Sequence, residues 1–220
     1  MARRFTSRPD GIAASLEDAE IDLLARLVAD VAALLQPATE AVAHPWAAEL
    51  GLDGTALDGV GGDELTRAPE DPALARLLPP ARRDDDRAAA EFRRFTERGL
   101  RERKRGGLAR SLAVLARWRA EPGREQLLTL EQARDWTTAL TDVRLVLAQR
   151  LGIETDADAE ALHQRDVDEQ DPDDPGDWLA MVYDFVTWVQ ESLTDVLVRG
   201  LPERGDGRRR APDPRDPGGP

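Results

Sequence analysis

The 220-residue chain has no cysteine, no asparagine, one lysine and two histidines. Without cysteine it can form no disulfide, sense no oxidant through a thiol and hold no zinc on thiolates. Aromatic residues make up only 5% of the chain, so the place of each ring matters. Lys104 is the sole lysine among 30 basic residues. With the missing asparagine, that skew suggests a GC-rich genome and weakens any reading of arginine as a choice over lysine at one site. No stretch approaches the roughly 18 uncharged apolar residues of a membrane span. Glu17, Asp18, Glu20 and Asp22 interrupt any signal-peptide core near the N-terminus. The cytoplasm is therefore the expected compartment.

Catalytic and ligand-binding patterns are missing as well. His44 and His163 stand alone, with no metal-ligating helix motif around them. Ser15, Ser111 and Ser192 lack a nucleophile-elbow context. The glycines from Gly51 to Gly62 come without the Lys-Ser/Thr of a phosphate loop. The run Asp171-Pro172-Asp173-Asp174-Pro175-Gly176-Asp177 departs from a calcium loop, since Pro175 takes a ligand position and Val182 the closing glutamate position. No catalytic, cofactor-binding or metal residue is expected, and no enzymatic activity.

What the chain has is charge in blocks. Its net charge is −13, yet residues 93 to 110 hold seven arginines and Lys104 against two glutamates. Residues 154 to 177 hold eleven carboxylates and one arginine. Separate blocks of opposite sign can attract within a fold or direct a partner's approach.

The pattern of elements predicts a mainly α single domain over residues 1–200, followed by a disordered Pro/Gly/Arg tail at 201–220. Phe5-Thr6-Ser7 and Ile12-Ala13-Ala14 flank Arg8-Pro9-Asp10-Gly11, which predicts a β-hairpin at about 5–14. Ser15 is placed to cap a helix whose stripe runs from Leu16 to Leu35, and a weaker helix is expected over 38–50. Residues 51–70 read as a loop. Asp71-Pro72 opens a short helix ending at Pro79-Pro80. Asp84 to Asp86 begin a long basic helix, which Gly106-Gly107 breaks or bends before Leu108, Leu112, Leu115 and Trp118 continue it. Gln126 to Thr129 fits a brief strand. Thr129 and Gln132 fit a capping box, opening a helix that carries Ala133, Trp136, Leu140, Val143, Leu147 and Leu151 and ends at Gly152. An acidic loop is expected over 154–177. A last helix from Trp178 to Val198, closed by Gly200, is expected to bury Trp178, Met181, Val182, Phe185, Val189, Leu193 and Val196, with Asp177 at its start.

Arg94, Arg98, Arg101 and Arg105 fall at spacings of four, three and four, one face of a helix. Phe92, Phe95 and Gly99 lie opposite, one turn after Ala88. Arg93 and Lys104 widen the stripe. It reads either as a solvated face with Glu97 and Glu102 beside it, or as a contact for phosphates or an acidic protein surface. No aromatic ring interleaves with the cations, and no helix-turn-helix pattern is present, so an acidic protein suits them better than DNA.

Asp142, Arg144, Asp184 and Glu191 sit inside apolar helices. They read either as exposed groups or as a buried pair, with Asp142 to Arg134 or Arg144 to Asp184 as candidates. Tyr183 and Trp188 are five residues apart and cannot share one narrow stripe. They are therefore candidates for an apolar edge used in assembly, such as a homodimer seam.

Several segments together resemble a known family. They are Ala13-Ala14-Ser15-Leu16, Asp71-Pro72-Ala73-Leu74-Ala75-Arg76-Leu77-Leu78-Pro79, the stretch from Leu128 to Ile153 centred on Leu140-Thr141-Asp142-Val143-Arg144-Leu145-Val146-Leu147, and Val182-Tyr183-Asp184-Phe185-Val186-Thr187-Trp188-Val189-Gln190-Glu191. In this order they are similar to an actinobacterial family catalogued as a domain of unknown function, which includes the oxidative stress regulator AosR. The resemblance implies a non-enzymatic cytoplasmic regulator of stress-response transcription. In that regulator oxidation forms a disulfide, and the protein then works with a stress sigma factor at promoters. The present chain departs from it by having no cysteine. The resemblance therefore implies contact with a sigma factor or RNA polymerase, without thiol sensing. The alternative is an adaptor with no role at promoters.

Overall fold

The computed structural model describes residues 3–36, 69–79, 86–122, 125–163, 171 and 173–200. The helix expected over 38–50, the residues of the 51–70 loop before Pro69, and the tail at 201–220 lie outside the described residues. The architecture is mainly α, with a small antiparallel sheet at one side.

Strands β1 (Arg3–Arg8) and β2 (Gly11–Ser15) form the expected hairpin, pairing Arg8 with Gly11 and Thr6 with Ala13. Strand β3 (Gln126–Leu128) pairs with β2 in the register Ile12–Leu128, so β2 is central in the order β1-β2-β3. Gly11 has φ of 154°, and a Cβ there would meet the Leu128 carbonyl oxygen at 2.5 Å. Only glycine lets β2 start so close to β3. The Phe5 backbone N–H donates to Ser192 Oγ at 2.8 Å, tying the edge strand to the last helix.

Helix α1 (Asp18–Leu34) starts later than expected. Ser15 does not cap it. The Gln126 side chain bonds both the N–H and the C=O of Leu16 at 2.8 Å, holding the chain extended one residue beyond β2. Glu17 is the cap position instead, and its N–H donates to Glu20 at 2.8 Å. Ile21, Leu24, Val28 and Val31 are buried at helical spacing.

Helix α2 (Pro72–Leu77) opens as expected, with Asp71 accepting from the Ala73 N–H at 2.7 Å. Helix α3 (Asp86–Ala120) runs unbroken through Gly106-Gly107. Of the two readings at the glycines, a break or a bend, the break does not occur: Leu108, Ser111, Leu115 and Trp118 are buried on one side of the pair and Lys104 is held on the other. At about 52 Å, α3 is the longest element.

Helix α4 (Leu130–Arg150) has the predicted capping box, with Thr129 and Gln132 bonded at 2.9 and 3.2 Å. It ends on Gly152 at φ of 72°, and the Ile153 N–H reaches back to the Ala148 carbonyl at 2.9 Å. Trp136 of α4 lies 5.1 Å from Trp118 and 6.4 Å from Phe5, joining helices and sheet in one core.

The segment expected as an acidic loop contains helix α5 (Asp156–His163). Thr155 and Asp158 cap it reciprocally at 2.8 and 3.2 Å. Helix α6 (Pro175–Arg199) begins three residues earlier than expected, because Asp174 accepts from Gly176 and Asp177 at 2.9 and 3.0 Å. Trp178, expected in the core, is 44% exposed. Val182, Val189 and Leu193 are buried as expected, joined by Tyr183 and Val186, whereas Met181, Phe185 and Val196 are only partly buried.

Candidate binding site

The core face of α3 is set by its second half. Trp118, Leu115, Ser111 and Leu108 are buried, and stepping back by four, three and four residues from Leu108 reaches Lys104, Arg101 and Glu97. An unbroken helix carries that face straight through the basic block. Lys104 Nζ therefore lies 2.5 Å from Asp142 Oδ1 on α4, with side-chain exposures of 16% and 2%. Arg101 donates through two nitrogens to Glu97, at 2.7 and 2.9 Å, and Glu97 is only 5% exposed.

The four-arginine stripe is thus divided. Arg98 is exposed, Arg101 turns inward onto Glu97, and Arg105 is partly buried. The side chains of Arg93, Arg94 and Phe92 lie outside the described residues. Phe95, placed opposite the arginine stripe by its spacing, is 73% exposed on the face shared with Arg98 and Glu102. With the helix continuous, both halves keep one phase.

Asp142 is a buried polar residue, as one of its two readings held, but its partner is Lys104 and not Arg134. Burial pushes its carboxyl above the ordinary value, and Lys104 only partly offsets this. Asp142 Oδ2 and Glu97 Oε2 have no hydrogen-bond partner among the described residues. One turn beyond the glycines, Arg110 forms a two-nitrogen pair with Asp135 of α4 at 2.7 and 2.9 Å. That contact holds the Asp135 carboxyl below its ordinary value.

Arg144 donates to Gln190 at 3.0 Å and to the Tyr183 hydroxyl at 3.3 Å, and sits 5.5 Å over the Tyr183 ring. Its partners across the α4–α6 seam are these residues, where Asp184 was the expected one. Tyr183 is 7% exposed and Trp188 packs partly buried against the core. Tyr183 is therefore covered within the α6 packing, whereas Trp188 keeps part of its surface exposed.

An open groove of about 650 Å³ lies between α1, α4 and the start of α6. Leu23, Leu27 and Leu34 form one wall, Val146 and Leu147 another, and Trp178 with Leu179 a third. Arg26, Asp30 and Arg150 are the charged residues around it. Arg150 is held by Asp71 at 2.8 Å. Burial raises the Asp71 carboxyl, but the Ala73 N–H and Arg150 outweigh it and leave it below the ordinary value. The groove was not read from the sequence. Its signal was the width of the α1 stripe, where Leu23, Leu27 and Leu34 extend beyond the residues that the core buries.

Among the described residues no group of three or more His, Cys, Asp or Glu is arranged to hold a metal ion. In the acidic run, Asp171 accepts from the Asp173 N–H at 2.9 Å and Asp174 caps α6. His44 and the side chain of His163 lie outside the described residues. No described helix is long and apolar enough to cross a membrane.

These features define a mainly helical domain with an apolar groove on one side and an ion-paired basic helix on another. The chain belongs to the family described as a domain of unknown function (DUF2017), which it matches over residues 2–197. No curated protein and no solved structure matches it.

Proposed function

We propose that the chain is a non-enzymatic regulator that works by protein–protein contact, with the α1/α4/α6 groove receiving an amphipathic helix of its partner. The observation that carries this reading is the open apolar groove with half-exposed Trp178 on its wall. Contiguous apolar concavities with an aromatic anchor and charged edges suit helix-in-groove recognition. The resemblance to the AosR family supports the finer reading: a cytoplasmic regulator of stress-response transcription that contacts a sigma factor or RNA polymerase. The net charge of −13 disfavours a polyanion such as DNA and favours a protein partner. With no cysteine, the stress signal reaches this chain through that partner.

The test is affinity capture from lysate, with and without oxidant, by the wild-type chain and by Trp178→Asp. Recovery of RNA polymerase or a sigma factor by the wild type, lost in the variant, supports the reading. Equal recovery by both removes the groove from it. Recovery of only unrelated proteins points to an adaptor with no promoter role.

A further inference from the structure

The geometry points to a latch in α3: its first half is held closed by the buried Lys104–Asp142 pair, pivots at Gly106-Gly107, and on release presents Arg101 and Lys104 to an acidic polypeptide. This inference stands apart from the groove and from whatever fills it.

Three observations carry it. The first is a change in how α3 is attached. From Leu108 onward the inward residues are Leu108, Ser111, Val114, Leu115 and Trp118, a mostly apolar seam. Before the glycines the inward groups are Leu100, partly buried, and the charged Glu97, Arg101 and Lys104. The Lys104–Asp142 ion pair ties this half to α4.

The second is the glycine pair at the changeover. A Cβ at Gly106 would meet only the end of the Arg110 side chain, at 3.4 Å. At Gly107 the nearest atoms, from Arg110 and Asp135, are 4.0 Å away. Neither site requires glycine for space or for backbone angle. Each glycine lowers helix stability by about 1 kcal/mol relative to alanine. Two in succession make this the weakest point of the 35-residue helix, and such pairs are where helices bend.

The third is the unfavourable character of the closed state. Glu97 and Asp142 are almost fully buried, yet one oxygen of each has no partner among the described residues. Buried carboxylates left half-satisfied oppose the packing that covers them. Opening at the glycines hydrates both and turns the Arg101 and Lys104 side of the helix outward.

Hydrogen exchange on the full chain tests the latch. The amides of residues 95–105 are expected to exchange about ten-fold faster than those of 108–118, the mark of a separate opening unit. Asp142→Asn should speed 95–105 by about ten-fold more than it speeds 108–118. Gly106→Ala with Gly107→Ala should slow 95–105. Exchange of both stretches in step, in all three proteins, overturns the latch. Should Asp142→Asn also strip protection from 108–118, the glycine variant decides: slowing confined to 95–105 supports the pivot, and no change overturns it. Poly-L-glutamate is the binding probe, with Asp173→Asn as a control of equal charge. Tighter binding by Asp142→Asn than by Asp173→Asn supports presentation of the cations, and equal binding overturns it.

Discussion

Lys104 and Asp142, 38 residues apart, meet in a 2.5 Å ion pair between the long basic helix α3 and its neighbour α4, with Asp142 only 2% exposed. The contact joins the chain's sole lysine to a carboxylate on an otherwise apolar helix face. It fastens the inward side of the basic block of α3 to α4.

Removing one partner leaves the other buried and uncompensated. Lys104→Ala is expected to destabilise the fold by about 3 kcal/mol, whereas Lys104→Met with Asp142→Leu should fall within about 1 kcal/mol of the wild type. Urea unfolding of the three proteins measures the difference. A double variant as unstable as Lys104→Ala would show that the pair contributes more than mutual compensation.

The same pair has a pH signature opposite to that of its neighbours. The folded-state value of Asp142 is raised, so the native state binds more protons than the unfolded chain in the window just above the ordinary carboxylate value of about 4. Its contribution is present below that window and is lost as pH rises through it. Asp135 and Asp71 are lowered, so theirs is present above the ordinary value and lost as pH falls below it. Unfolding free energy measured from pH 3 to 6 should therefore climb more steeply with pH in Asp142→Asn than in the wild type. In Asp135→Asn the loss on the acid side should shrink. Identical pH profiles in all three would contradict the assigned directions.

Two glycines with unusual backbone angles should respond differently to the same change. Gly11→Ala places a methyl 2.5 Å from the Leu128 carbonyl, and neither the β2 nor the β3 backbone can yield without breaking the ladder. A loss above about 2 kcal/mol is expected. Gly152→Ala meets open space at φ of 72° and should lose only about 1 kcal/mol, the cost of a left-handed angle. Thermal melts of both variants settle the ranking, and equal losses would mean that the β2–β3 approach is not rigid.

Much of the fold was legible because its signals are local. Pro9-Asp10 between alternating strands, Asp71-Pro72, the Thr129/Gln132 box and Gly152 each act within a few residues, and each sits where it was expected. The same kind of signal marked α5 through Thr155 and Asp158, but the acid-rich composition around it favoured a loop reading. Ser15 misled because a distant residue, Gln126, satisfies the backbone at Leu16 and moves the start of α1. Trp178 misled because periodicity marks an apolar face without showing whether a neighbour covers all of it. Here the first turn of α6 lies at the lip of the groove.

The sequence by itself determined the helical class, the hairpin, most helix ends and the absence of thiol chemistry, since these follow from residue type and near-neighbour spacing. Tertiary structure decided the rotation of α3, the partner of Asp142 and the existence of the groove. A helix shows several faces of similar polarity when its first half mixes arginine with phenylalanine. Only the apolar seam at Leu108, Leu115 and Trp118, propagated through two glycines by contacts on both sides, chooses among them.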